Sequence, residues 1–176
     1  MKYLIASDVH GSLKYAEKLI EVFNKSKAEK LILLGDLYYH GPRNPLPEGY
    51  NPKEVAVLFN QYKDKLLVVR GNCDAEVDQM ISDFPIQDYL QMEIGGKICS
   101  FYHGHKDIEL PKKSDVIFNG HTHICQLEKI GNITYANPGS VTLPKSDISR
   151  DYILLDNNTI VLKDLETSKV IKSLKF

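Results

Sequence analysis

Five short segments of this 176-residue sequence carry residue types that hold metal ions: Asp8-Val9-His10, Gly35-Asp36, Gly71-Asn72-Cys73-Asp74, His103-Gly104-His105 and Gly120-His121-Thr122-His123. Five of the six histidines lie in them, and only His40 does not. Carboxylate oxygen, amide oxygen and imidazole nitrogen together suit a hard to borderline divalent ion such as manganese, iron, zinc or magnesium. Two ions held about 3.5–4 Å apart need a carboxylate to bridge them. Asp36, alone after its glycine, is the natural candidate. The alternating pairs Asp8/His10 and His121/His123 would each share one side of an extended backbone, and a glycine before a ligand lets the chain turn sharply. The chemistry open to such a centre is in-line displacement at phosphorus.

The elements that must position these residues are short. Tyr3 to Ala6, Leu31 to Leu34, Leu66 to Val69 and Val116 to Phe118 are apolar runs of strand length, and each stops just before a polar segment. In open α/β sheets ligands bind beyond the carboxyl ends of the strands, so the segments could meet in one crevice. After Gly11-Ser12, Leu13, Ala16, Leu19, Ile20 and Phe23 recur at helical spacing. This strand–helix–strand unit predicts parallel neighbours with a right-handed crossover. Residues 38–52 hold four prolines and read as a long ordered loop at the mouth of the site. Pro52 then opens a helix to about Tyr62. Beyond residue 86 the pattern turns to short strands, with hairpin turns at Gly95-Gly96, Gly131-Asn132 and Asn157-Asn158. Tyr152 to Leu155, Thr159 to Leu162 and Val170 to Leu174 predict a closing antiparallel meander. The expectation is one α/β domain over residues 1–176, α/β first and β-rich afterwards.

Composition narrows the function classes. Lys plus Arg (22) nearly balances Asp plus Glu (23), giving a formal net charge of -1 without the basic excess of a generic nucleic-acid binder. Cys73, Cys99 and Cys125 fit no disulfide or zinc spacing and read as reduced thiols of a cytoplasmic protein. The apolar stretch at the N-terminus is too short for a signal peptide or a membrane span.

Taken in order, Asp8-x-His10, Gly35-Asp36, Gly71-Asn72, His103-Gly104 and Gly120-His121-x-His123 resemble the calcineurin-like metallophosphoesterase superfamily. Gly71-Asn72-Cys73-Asp74, Gly41-Pro42-Arg43-Asn44 and Asn137-Pro138-Gly139-Ser140 are similar to its small phosphodiesterases of the YfcE type. The resemblance implies a four-layer α/β/β/α sandwich of two mixed sheets. It implies two divalent ions per chain, with Mn2+ ahead of Mg2+, Ni2+, Fe2+ or Zn2+. Asp8, His10 and His123 would hold one ion, Asp36 would bridge, and Asn72, His103 and His121 would hold the other. His105 would face the phosphate, attacked by a metal-activated hydroxide, and Asn72, Cys73 and His105 form the catalytic set.

Cys73 departs from the wider superfamily, many of whose members have histidine there to protonate the leaving oxygen. Monoesters with poor leaving groups are therefore disfavoured, and a small phosphodiester is the expected substrate, with no membrane or stable nucleic-acid partner. Homo-oligomers remain open. The competing readings are a phosphomonoesterase, for which a histidine at position 73 is expected, and a non-catalytic protein-binding scaffold of the same fold. Asn137-Pro138-Gly139-Ser140 reads either as part of the family pattern or as a tight turn beside the site.

Overall fold

In the computed structural model, which describes residues 1–145 and 149–176, two sheets pack face to face. Strands β1 (Lys2–Ala6), β2 (Lys30–Leu33) and β3 (Leu66–Val69) are parallel neighbours. Helix α1 (Leu13–Ser26) connects the first two and α2 (Pro52–Asn60) lies between the second and third, as the sequence predicts. Ser12 caps α1 by accepting the Tyr15 N–H. Leu4, Ala6, Leu31 and Leu33 pack with α1 and α2, whereas Tyr3, Ile5, Ile32 and Leu34 face the second sheet. A strand covered on both faces must be apolar at every position, which is why these runs show no alternation.

Two elements were not anticipated: α3 (Glu76–Ile81) and β4 (Ile86–Gln87), which adds to β3 in parallel. Six and two residues are too few for a period to show. On the other flank β10 (Asp151–Asp156) pairs antiparallel with β1, followed by β11 (Thr159–Asp164) and β12 (Val170–Lys175), the expected meander. The second sheet comprises β5 (Leu90–Ile94), β6 (Lys97–Phe101), β7 (Val116–Phe118), β8 (Cys125–Ile130) and β9 (Ile133–Pro138), in the order β5-β6-β7-β9-β8. All three expected hairpin turns close antiparallel pairs. Gly95 and Gly96 both have positive φ (60° and 76°), as a type I′ turn requires.

The α/β class and the two mixed sheets stand, but the fourth layer carries no helix among the described residues, because all three α-helices precede residue 82. On the outer face of the five-stranded sheet, Gln91 holds Lys112 and Ser100 meets Ser114 at 2.7 Å. That irregular segment contains Pro111 and three lysines and offers no apolar stripe for a helix to bury.

Candidate metal centre

The five polar segments follow β1, β2, β3, β6 and β7, so the carboxyl ends of parallel strands in both sheets meet at one edge. His10 Nε2 lies 3.6 Å from Asp8 Oδ1 and 3.7 Å from Asp36 Oδ2. His123 Nε2 lies 3.3 Å from Asp8 Oδ1 and 3.1 Å from His10 Nε2. On the other side, His103 Nε2 lies 3.4 Å from Asp36 Oδ2 and 3.0 Å from Asn72 Oδ1. Asp36 Oδ2 thus stands between a histidine of each cluster, the place a bridging carboxylate takes. Asp8 also lies within ligand distance of Asp36 and His103, so the two clusters are less separate than the sequence reading implied. His121 enters no such group; its ring sits 5.1 Å from that of His103, and its N–H donates to Asp8 Oδ2. The His105 ring lies tilted, 5.4 Å from that of His103 and 6.2 Å from that of His121.

Three of these histidines are held by main-chain carbonyls. His10 Nδ1 meets the Tyr39 carbonyl, His103 Nδ1 that of Leu34 and His123 Nδ1 that of Leu143, at 2.6–2.8 Å. A carbonyl only accepts, so each Nδ1 carries a proton and Nε2 is the atom that each ring turns to the centre. The buried Asp8 Oδ1 has no hydrogen-bond partner. Converging Nε2 atoms and buried carboxylate oxygens, one of them without a hydrogen-bond partner, are an O/N donor set that fits a divalent ion.

The backbone here differs from the sequence expectation. Asp8, His10, Asp36, His121 and His123 are not on extended chain; each has positive φ, between 51° and 67°. They are five of the eight non-glycine residues with positive φ among those described. For residues with a Cβ this conformation is strained, and such strain concentrates at functional sites. Of the preceding glycines, Gly35 turns the chain with φ 95°, as expected, whereas Gly71 and Gly120 make room. A Cβ on Gly71 would come within 2.0 Å of Asp36 Oδ1, and one on Gly120 within 1.9 Å of Ser7 Oγ.

Sequence reasoning missed the residues that hold the ligands. Asp74, buried, accepts the N–H groups of Asp36, Leu37 and Gly71 at 2.7–2.8 Å, tying the β2 and β3 loops together. Ser7 Oγ donates to Asp8 Oδ2 at 2.6 Å. The Asn137-Pro138-Gly139-Ser140 segment is more than a neighbouring turn. Asn137 donates to the Gly120 carbonyl, and Ser140 Oγ to that of Asp8. Its Asn-Pro-Gly-Ser pattern was the available signal, but nothing local says which loops it reaches.

Negative charge dominates the floor. Burial alone would raise the Asp8 carboxyl, yet the His10 and His123 rings against it and the nearby His103 hold it far below the carboxylate range. Asp36 is likewise lowered against its burial, chiefly by His103. His103 in turn is raised to about 9, burial being outweighed by its bond to Asp36 and by the charge of Asp8. Burial and the charge of Asp36 push the Cys73 thiol up to about 12.

Above this floor a cleft of about 390 Å³ is lined by Gly41 to Asn44, by Asn72 and Cys73, and by Thr122 and Lys145. The proline-rich loop therefore lines the mouth, as expected, and its far end is pinned to α1 by hydrogen bonds from Ser12 to Glu48 and from Leu13 to Gly49. His40 lies outside the cleft lining, against Tyr39 and Tyr50.

Comparison with known proteins agrees with this geometry. Residues 1–159 match the calcineurin-like phosphoesterase superfamily domain. The chain is 43% identical to the phosphodiesterase YfcE of Escherichia coli K12, with 97% of this chain and 96% of that protein covered. It is 29% identical to the probable metallophosphoesterase YsnB of Bacillus subtilis, over 88% and 83%. The solved E. coli Yfce structure superposes with a TM-score of 0.93 at 40% identity, covering 99% of each chain. Vps29 from Entamoeba histolytica, at 20% identity, 100% and 99% coverage and a TM-score of 0.68, shares the fold. Family match, overall identity and fold agree: this chain belongs to the calcineurin-like phosphoesterase superfamily.

Proposed function

We propose that this protein is a metal-dependent phosphodiesterase acting on small diesters. The observation that carries the reading is the convergence of Asp8, His10, Asp36, His103 and His123 on three overlapping groups, one of them with Cys73, that share Asp8, His10 and Asp36. The similarity to the phosphodiesterase YfcE supports it. Asp8, His10 and His123 would hold one divalent ion and Asn72, His103 and His121 the other, with Asp36 between; the O/N donor set suits Mn2+. Such ions supply an activated water and charge neutralisation at phosphorus.

The chain's own residues do the rest. Main-chain carbonyls fix the tautomers of His10, His103 and His123, so their Nε2 lone pairs stay aimed at the centre. The Cys73 N–H holds Asp36 Oδ1 at 2.8 Å, leaving Oδ2 for the shared position. Burial and the neighbouring His103 lower His105 below its ordinary value, so it meets the substrate as neutral imidazole, a hydrogen-bond donor toward phosphoryl oxygen. With Cys73 in place of an imidazole, the position after Asn72 offers no group that titrates near neutrality to protonate a leaving alkoxide, which favours diesters with acidic leaving groups. A cleft of about 390 Å³ takes a small molecule, and the net charge of -1 argues against a polymer partner. We place the protein in the cytoplasm, because its three cysteines follow no disulfide spacing.

The test is reconstitution with Mn2+ followed by hydrolysis of bis(4-nitrophenyl) phosphate and 4-nitrophenyl phosphate. Turnover of the diester, abolished by chelation and with about two ions per chain by elemental analysis, is the expected result. Activity that survives chelation refutes the metal reading, and preference for the monoester refutes the diester assignment.

A further inference from the structure

Two cations line the cleft. Among the described residues neither Arg43 nor Lys145 has a carboxylate within 4.0 Å. Both segments are built rather than loose. Arg43 lies between Pro42 and Pro45, and its neighbour Asn44 donates to the His40 carbonyl at 2.8 Å. Gly41 packs on Cys73, where a Cβ would sit 3.0 Å from the sulfur. The Lys145 N–H donates to the His123 carbonyl at 2.9 Å, so its main chain is locked to a proposed metal ligand.

From these two residues we infer that Arg43 and Lys145 form a specificity site for a second anionic group, so that the preferred substrate is a small phosphodiester carrying a further phosphate. The inference rests on the phosphodiesterase reading above and adds the substrate class to it. Charge counting motivates it. A phosphodiester carries one negative charge, and two divalent ions set against Asp8, Asp36 and that single charge leave no anionic excess for Arg43 and Lys145 to balance. A terminal phosphate brings about −1.5 to −2 at neutral pH, which matches two unpaired cations. Arg43 offers a planar fork for two phosphate oxygens and Lys145 a mobile point charge. In a chain with net charge -1 this cationic mouth is local, so it selects a small anion at the cleft without drawing polyanions to the whole surface.

Two probes separate the levels of the argument: thymidine 5′-(4-nitrophenyl phosphate), and the same compound with a 3′-phosphate. The Mn2+-loaded wild type should cleave the 3′-phosphorylated probe with a kcat/KM at least roughly 10-fold higher, the effect lying in KM, since a charged contact typically strengthens binding by that order. The preference should shrink as salt rises. Arg43→Gln and Lys145→Gln should each cut the ratio between the probes several-fold. Independently of turnover, thymidine 3′,5′-bisphosphate should bind more tightly than thymidine 5′-monophosphate by calorimetry. A wild type that cleaves both probes equally, or variants that leave the ratio unchanged, overturns the inference alone. A wild type that cleaves neither removes the phosphodiesterase reading and this inference with it.

Discussion

His10 and His123 direct their Nε2 atoms at each other across 3.1 Å, while each Nδ1 is occupied by a main-chain carbonyl. In neutral imidazoles so held, both facing nitrogens carry lone pairs, so the pair is repulsive by itself. Buried Asp8 and Asp36 flank it with negative charge. A divalent cation bound there would take the place of the protons that these groups otherwise hold among them, so metal binding should release protons.

Asp36 is the member whose loss should be felt at both positions, because its Oδ2 lies 3.7 Å from His10 and 3.4 Å from His103. Asp36→Asn keeps the shape and removes the shared charge. We expect metal content by elemental analysis to fall at both sites. Activity should drop by more than the roughly 10–100-fold that loss of an outer partner costs. Full retention of one ion with the other lost would show that Asp36 serves a single site.

Backbone strain at the ligands gives a prediction independent of turnover. His121 has φ 67°, where a Cβ is penalised by roughly 1–2 kcal/mol and glycine is not. Replacement by glycine loosens the unfolded chain, which offsets part of that gain. In the presence of chelator, His121→Gly should still melt above His121→Ala, by about 1 kcal/mol. Equal melting temperatures would mean that the loop relaxes once the imidazole is gone.

How much of this was legible in the sequence depends on the kind of feature. Asp8, His10, Asp36, His103, His121 and His123 stood out as candidate ligands because each follows an apolar run, and parallel strands bring these segments to one edge of the fold. The left-handed backbone at His10 and His121 did not show, since histidine adopts it only occasionally and tertiary contacts impose it. Asp74 and Ser140 were also beyond reach as ligand supports: their partners lie 38 and 132 residues away, for Asp36 and Asp8 respectively. The absent helix opposite the second sheet reflects the same limit, because the family pattern specifies ligands, not what covers an outer face.

Asp74 should be a structural partner of the ligands. Asp74→Asn leaves one oxygen for three main-chain N–H groups that the carboxylate satisfied alone. Stranding buried donors costs about 1–3 kcal/mol each, so urea unfolding should show a loss of at least about 2 kcal/mol. Mn2+ affinity should fall roughly 10–100-fold with the ligands unchanged. Unaltered affinity in a destabilised protein would restrict Asp74 to the fold.

Cys73 decides what the site can protonate. With its thiol pushed up to about 12 by burial and Asp36, it stays protonated throughout the neutral range and is a weak acid for a departing alkoxide. Cys73→His places an imidazole, with an ordinary pKa of about 6.5, at the wall of the cleft. Gly41 packs against the sulfur, where even a Cβ would sit 3.0 Å away, so the ring must extend into the cleft that Cys73 lines. We expect roughly 10²–10⁴-fold faster cleavage of alkyl esters, with less change for 4-nitrophenyl esters, whose leaving group needs little protonation. The sign of the pH dependence follows. The gain needs the imidazole protonated, so it should be largest below about pH 6.5 and fade as pH rises through that value. The sulfur also touches Asn72, 3.2 Å from its Nδ2, so the larger ring could displace that side chain instead. Plots of rate against leaving-group pKa for wild type and variant distinguish the two outcomes. A shallower slope identifies a new general acid, whereas a parallel, lower line with reduced metal content identifies Cys73 as the packing support of Asn72.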